Sequence, residues 1–276
     1  KVKVQHTVAA ATLTVDKAPN SGEWYKDTAP SIEVAAPTTS EAPAKTYYTL
    51  WKQGETEPTN GMELTDSNKN PSVKDDGIYQ LKVWTEAAGT TAYTDSYKID
   101  EKTYQAADHV FTFKVDRKAP TNEVSLSDRD RVSEASGSAP ALYNGDVIVT
   151  ANMSDLFFAG YTATVKKDGT EVETSWSVGT NSNSVQATVK ETGSYEVTIT
   201  AKDQAGHTTE QTVSFNIDST VPDITAVTAK ETDHTENLIS FLQAITHLFK
   251  NDVTVTVTAT DLNGVNYSSG LDKLYW

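Results

Sequence analysis

A short phrase occurs three times in this chain and constrains its fold more than any other feature: Val15-Asp16-Lys17-Ala18-Pro19, Val115-Asp116-Arg117-Lys118-Ala119-Pro120 and Ile217-Asp218-Ser219-Thr220-Val221-Pro222. Its aspartates recur 100 and 102 residues apart, the length of one small all-β domain rather than of a solenoid repeat. Each copy ends a run of β-formers (TLTVD, FTFKVD, VSFNID) and then supplies a proline. Proline cannot donate to a ladder and forces the residue before it into an extended conformation, so a strand stops and the chain runs on nearly straight. The spacing predicts four pieces: residues 1–16 as the last strand of a preceding domain, 17–118 and 119–219 as complete domains, and 220–276 as a partial one.

Within the two complete pieces, short runs alternate with period two. In the first they are PSIEVA, TYYTLW, GIYQLKVW, TDSYKI and VFTFKV; in the second, NEVSLS, DVIVTA, YTATVKKDG, SVQATVK, YEVTITA and QTVSFNI. Six or seven short strands per hundred residues, separated by turn-rich segments, predict all-β, tandem immunoglobulin-like Greek-key β-sandwiches. Tyr79 and Tyr195 each follow a glycine at the start of the penultimate strand, where a tyrosine corner bonds its hydroxyl to upstream backbone. Tyr79, Leu81 and Val83 then share an inward face, as do Tyr195, Val197, Ile199 and Ala201. In the incomplete third repeat, Leu238, Phe241 or Leu242, Ile245, Leu248 and Phe249 fall at helical spacing and predict one short inserted helix at about 237–250.

Composition removes several functions. A net charge of −15 and a pI near 4.7 have the wrong sign for a protein that must neutralise phosphates, so no nucleic-acid partner is expected. The absence of cysteine excludes disulfides, thiolate catalysis and cysteine-ligated metals. No run of 18 apolar residues is present, and no membrane insertion is expected from this segment. Nucleophile elbow, P-loop, HExxH and dinucleotide glycine motifs are all missing. The five histidines are scattered, and Asp128 and Asp130 lie among arginines as a solvated cluster, so the chain reads as no enzyme. A lysine–asparagine cross-link is disfavoured, because Asn216 on the last strand faces no lysine in NEVSLS.

Together, the VD-x-x-AP phrases, the GxY strand starts and the stretch AKDQAGH (Ala201–His207) resemble the bacterial immunoglobulin-like repeats of large cell-surface proteins, especially those of Gram-positive and gut-dwelling bacteria. The resemblance implies an extracellular protein, secreted or cell-wall anchored and monomeric. It also implies a host glycoprotein (immunoglobulin or mucin) or a glycan as the partner. A pure stalk or spacer, or accessory domains of a large secreted carbohydrate-active enzyme, are the alternative readings.

Two groups of candidate site residues follow. The start of strand A and the loops after strands B and F lie at one pole of such a sandwich. Those positions hold Asp116, Asp155 and Asp203, and in the third repeat begin with Asp218 and Asp261. Converging carboxylates at a domain junction suit Ca²⁺, and some repeats of the resembled class stiffen their linkers with it; turn-capping aspartates meet the same pattern. The second group is aromatic. A tryptophan in the usual core place of strand C puts Trp51 and Tyr47 inward, leaving Tyr48 and Leu50 outward beside Lys82 and Trp84 of strand F. Those four form a ligand patch, unless the inserted stretch TDSYKIDEKTYQAADH folds over that face.

Overall fold

The computed structural model describes residues 7–38, 43–179, 183–231, 234–237 and 253–261, and all regular structure among them is β. Two compact units form. One comprises the chain up to Thr121 together with Ser154–Gly160 and Ala201–Thr209; the other holds the remainder.

The first sandwich contains ten strands: β1 (Thr12–Val15), β2 (Trp24–Lys26), β3 (Ile32–Ala35), β4 (Lys45–Lys52), β5 (Met62–Glu63), β6 (Gly77–Ala87), β7 (Thr90–Tyr93), β8 (Ser96–Ile99), β9 (Lys102–Gln105) and β10 (Val110–Asp116). One sheet runs β2-β10-β6-β4-β5, with β7 also on β6. Antiparallel β1 and β3 form a second layer, and the β8–β9 hairpin lies alongside β1, where the Thr94 hydroxyl donates to the Ala11 carbonyl at 2.8 Å. Alternation places Leu13, Val15, Ile32 and Val34 from one layer against Tyr79, Leu81, Val83, Phe111, Phe113 and Val115 from the other, all buried. Period-two patterning puts every second side chain of a strand on one face, and burying that face drives the layers together. The β6–β7 hairpin turns through Ala88 and Gly89, both at positive φ (48° and 79°), as a two-residue turn of the type I′ class demands.

Residues 1–16 were expected to close a preceding domain, and the structure corrects this. β1 pairs with β3 over Thr12 to Val15, and Leu13 and Val15 belong to the core of the first sandwich. Copies of the repeated phrase therefore occupy different places: Asp16 follows the first strand of its sandwich and is exposed, whereas Asp116 ends β10, Asp218 follows the last strand of the next sandwich, and both are buried. A strand-plus-proline phrase records where a strand stops and carries no information about which sheet that strand joins.

Ten further strands follow: β11 (Thr121–Leu126), β12 (Arg131–Ser133), β13 (Ala141–Tyr143), β14 (Val147–Ser154), β15 (Phe158–Lys167), β16 (Thr170–Val172), β17 (Ser177–Val178), β18 (Ser184–Val189), β19 (Gly193–Asp203) and β20 (Thr208–Ile217). They form one sheet ordered β11-β14-β18-β17 and another ordered β12-β13-β20-β19-β15-β16. Val147, Val149, Val185, Ala187, Val197, Ile199, Phe215 and Ile217 alternate into the buried faces. Both tyrosine corners are present: the Tyr79 hydroxyl donates to the Asp75 carbonyl at 3.0 Å, and that of Tyr195 to the Glu191 carbonyl at 2.9 Å. Strands β21 (Asp223–Glu231), β22 (His234–Asn237) and β23 (Val253–Thr260) form a three-stranded sheet ordered β22-β21-β23. The helix expected at about 237–250 lies outside the described residues except for Asn237, which ends β22.

Candidate functional site

Three strand ends supply a polar group inside the first unit. Asp116 is the last residue of β10, Asp203 the last of β19, and His207 closes the four-residue turn that leads into β20. Their side chains are 1%, 1% and 9% exposed, and one ligating atom from each lies within 4.8 Å of the others. Asp203 binds His207 twice: Oδ1 accepts the backbone N–H at 2.8 Å, and Oδ2 lies 2.7 Å from Nδ1. The other imidazole nitrogen, Nε2, is 3.2 Å from Asp27 Oδ1. Nearby, the Lys26 ammonium donates to the Gly206 carbonyl at 3.0 Å, and the Trp24 and Phe157 rings meet at 4.7 Å.

Asp116 is the strained member of the group. Oδ1 accepts only a long bond of 3.4 Å from the Lys118 N–H, and Oδ2 is buried with no hydrogen-bond partner. Burial pushes its pKa up to about 6, and the carboxylates of Asp155 and Asp203 add to the rise against the opposing pull of the Lys118 amide and His207. Asp155 is half-buried and caps its own turn, accepting the Phe157 N–H at 2.6 Å. Of the aspartates named from sequence, Asp116 and Asp203 are thus brought together, and Asp155 is close enough to act on Asp116 electrostatically. Two ligand atoms on opposite sides of a Ca²⁺ ion, each 2.3–2.6 Å from it, stand up to about 5 Å apart. The 4.8 Å spread of one atom each from Asp116, Asp203 and His207 matches that span, and Asp116 Oδ2 has no hydrogen-bond partner. His207 escaped sequence reasoning because a single histidine carries no ligand spacing; the Asp-x-x-x-His interval across a strand-to-strand turn was the available signal. Asp218 and Asp261, both buried, do not join this group. Asp218 accepts from the Thr220 backbone N–H and hydroxyl.

On the aromatic group the structure reverses one half of the reading. Register pairs Tyr48 with Val83 and Leu50 with Leu81, so Tyr48 and Leu50 face inward. Tyr48 is buried, and its hydroxyl donates to the Asn68 carbonyl at 2.9 Å. The opposite face carries Tyr47, Thr49 and Trp51, paired with Trp84, Lys82 and Gln80. Aromatic or apolar residues stand at both phases of β4, so alternation alone could not select the inward one; pairing with the unambiguous Leu81 and Val83 does. Lys82 and Trp84 lie on that opposite face. Tyr47, Trp84 and Tyr93 are direct cross-strand neighbours on β4, β6 and β7, all half-buried, and make a row of rings. Tyr47 stacks on Trp84 at 5.7 Å, and His109 stacks on Tyr93 at 4.0 Å. Lys82 lies 5.7 Å from the Tyr93 ring centre and pairs with Glu57 at 3.1 Å. The inserted stretch covers this row only at one end: its last residue, His109, lies on the Tyr93 ring, while its Tyr97 packs in the core against Phe111 and Phe113. Instead Gly61 packs against the edge of the Trp84 indole, where an added Cβ would stand 2.3 Å from the ring.

Layered, mostly antiparallel sheets with tyrosine corners and polar groups gathered at loop ends define an immunoglobulin-like β-sandwich protein. Residues 146–215, from the start of β14 into β20, match the PKD domain, an immunoglobulin-like domain found in surface proteins. Among solved structures, the chain is similar to that of a 1.5-MDa bacterial ice-binding adhesin, at 15% identity and a TM-score of 0.29, over 81% of this chain and 70% of that one. No curated protein matches. No helix among the described residues is long and apolar enough to cross a membrane.

Proposed function

We propose that this chain is a non-catalytic, extracellular segment of a bacterial surface protein, secreted or wall-anchored, whose tandem immunoglobulin-like repeats bind a host glycoprotein such as immunoglobulin or mucin, or a glycan. The observation that carries this reading is the ring row Tyr47–Trp84–Tyr93 with Lys82 at its margin. Aromatic side chains half-open to solvent and rimmed by charge are the residues that dominate protein and sugar interfaces. The PKD match supports the surface location. The test is capture of immobilised immunoglobulin, mucin and a glycan panel by the full chain. Binding that falls tenfold or more in Trp84→Ala supports the reading, and absence of binding to all three classes overturns it.

A second reading, a spacer, is favoured by Asp116, Asp155 and Asp203. Ca²⁺ held by these carboxylates ties the end of β10 to the turns at Asp155 and Gln204–His207 and holds the linker after Asp116 in place. Chelation then lowers the melting temperature and loosens the linker, which limited proteolysis after Arg117 and Lys118 reads directly.

A further inference from the structure

The insertion that builds β7, β8 and β9 has no equivalent between β19 and β20, which four residues join. It creates a cleft of about 530 Å³ between its β9 side and strands β2 and β10, with walls that include Tyr25, Tyr97, Tyr104, Phe111, Lys102 and Glu23. Three features of this cleft remain unexplained by packing. The first is the Tyr25 hydroxyl, shut off from solvent with no hydrogen-bond partner. Burial raises its pKa, and the neighbouring Tyr97 and Tyr104 add to the rise. A buried donor left in this state costs stability.

The second feature is the pair Tyr97 and Tyr104, whose rings lie parallel at 5.0 Å with 5° between planes, backed by Phe111 at 5.4 Å. Tyr104 is half-buried, so this stack leaves ring surface facing the cleft. The third is charge. Lys114 is paired with Glu23, but Lys102 stands 4.8 Å over the Tyr104 ring with no carboxylate partner among the described residues. In a chain of net charge −15, an exposed ammonium free of any such carboxylate is a local point of attraction for an anion.

We infer that the cleft between β9, β2 and β10 is a binding site for a carboxylated saccharide. The apolar face of a sugar ring lies against Tyr104, its carboxylate meets Lys102, and its hydroxyls meet Glu23 and Gln105. Flat aromatic surface with a few convergent polar groups is the general form of such a site. This inference rests on the reading of the chain as a binding segment, but not on the Tyr47–Trp84–Tyr93 row.

The experiment titrates the full chain with the methyl glycosides of N-acetylneuraminic acid and glucuronic acid, and with neutral methyl glucoside, followed by saturation-transfer NMR and calorimetry. The acidic glycosides are expected to bind in the millimolar range and the neutral one at least tenfold more weakly. Lys102→Glu abolishes that preference, Tyr104→Ala weakens binding roughly tenfold, and Tyr104→Phe retains it. No saturation transfer at about 50 mM of either acidic glycoside overturns the site, as does binding that Lys102→Glu and Tyr104→Ala leave unchanged. Parallel capture of mucin separates the two readings. Capture that is lost in Trp84→Ala, with no response to the free glycosides, removes the cleft and leaves the ring row standing; glycoside binding with no capture does the reverse.

Discussion

Asp203 grips His207 at both ends of the residue, its Oδ1 taking the backbone N–H at 2.8 Å and its Oδ2 facing Nδ1 at 2.7 Å. The carboxylate is fully buried, so neither bond has water as a substitute. Bonds to a charged group are worth about 1.5–3 kcal/mol each in net terms. Asp203→Ala is therefore expected to lower stability by about 2–4 kcal/mol, measured by denaturant unfolding of the full chain. A turn-capping role alone predicts a loss nearer 1 kcal/mol, which separates the two.

Metal-free protein should lose stability as pH rises through the titration of Asp116. Its folded pKa, about 6, lies above the ordinary 3.8. A group raised in this way favours the folded state fully below its unfolded pKa, and the contribution disappears as pH climbs past the folded value. In EDTA the stability should fall between about pH 4 and pH 6.5 by on the order of 2–3 kcal/mol from this residue, read as a falling melting temperature. Asp116→Asn, which cannot ionise, removes that slope and is more stable than the parent at pH 7 without metal.

Calcium should act in the opposite sense on the same residue. At pH 7, a ligand bound only by the folded form adds about 2.7 kcal/mol at a hundred times its Kd. Calorimetric scans of chelator-treated protein are expected to show a rise in melting temperature on adding Ca²⁺, and Asp116→Asn is expected to show none. A response preserved in Asp116→Asn assigns the cation to other carboxylates.

Gly61 and Trp84 offer a test of the ring row that leaves the core alone. Gly61→Ala places a methyl group inside contact distance of the indole, and overpacking of this kind costs about 1–3 kcal/mol. It should tilt Trp84 off Tyr47, quench or shift the tryptophan fluorescence and weaken capture of host ligand. Leu81→Ala, buried at the centre of β6, should cost about 2–5 kcal/mol while leaving that fluorescence and capture unchanged in the folded fraction.

What the sequence determined by itself was whatever rests on local pattern. Period-two runs announced an all-β chain, and the Gly-x-Tyr starts located both tyrosine corners, because the corner closes over four residues and needs no distant partner. The positions of Asp116, Asp155 and Asp203 at strand ends were legible for the same reason. Tertiary structure decided the rest. It turned Tyr48 and Leu50 toward the first sandwich's core and placed Tyr47 and the buried Trp51 on the opposite face, since β4 presents aromatic or apolar residues at both phases and only pairing with β6 selects one. It drew Thr12–Val15 into the first sandwich, because Leu13 and Val15 match the buried phase of Ile32 and Val34 across a gap no local motif spans. It set His207 on Asp203 and close to Asp116 and left Asp116 Oδ2 without a partner. The physical reason is common to all three: strand phase, sheet membership and carboxylate environment are properties of pairs distant in sequence, and a single strand's residues encode only their own half of each pair.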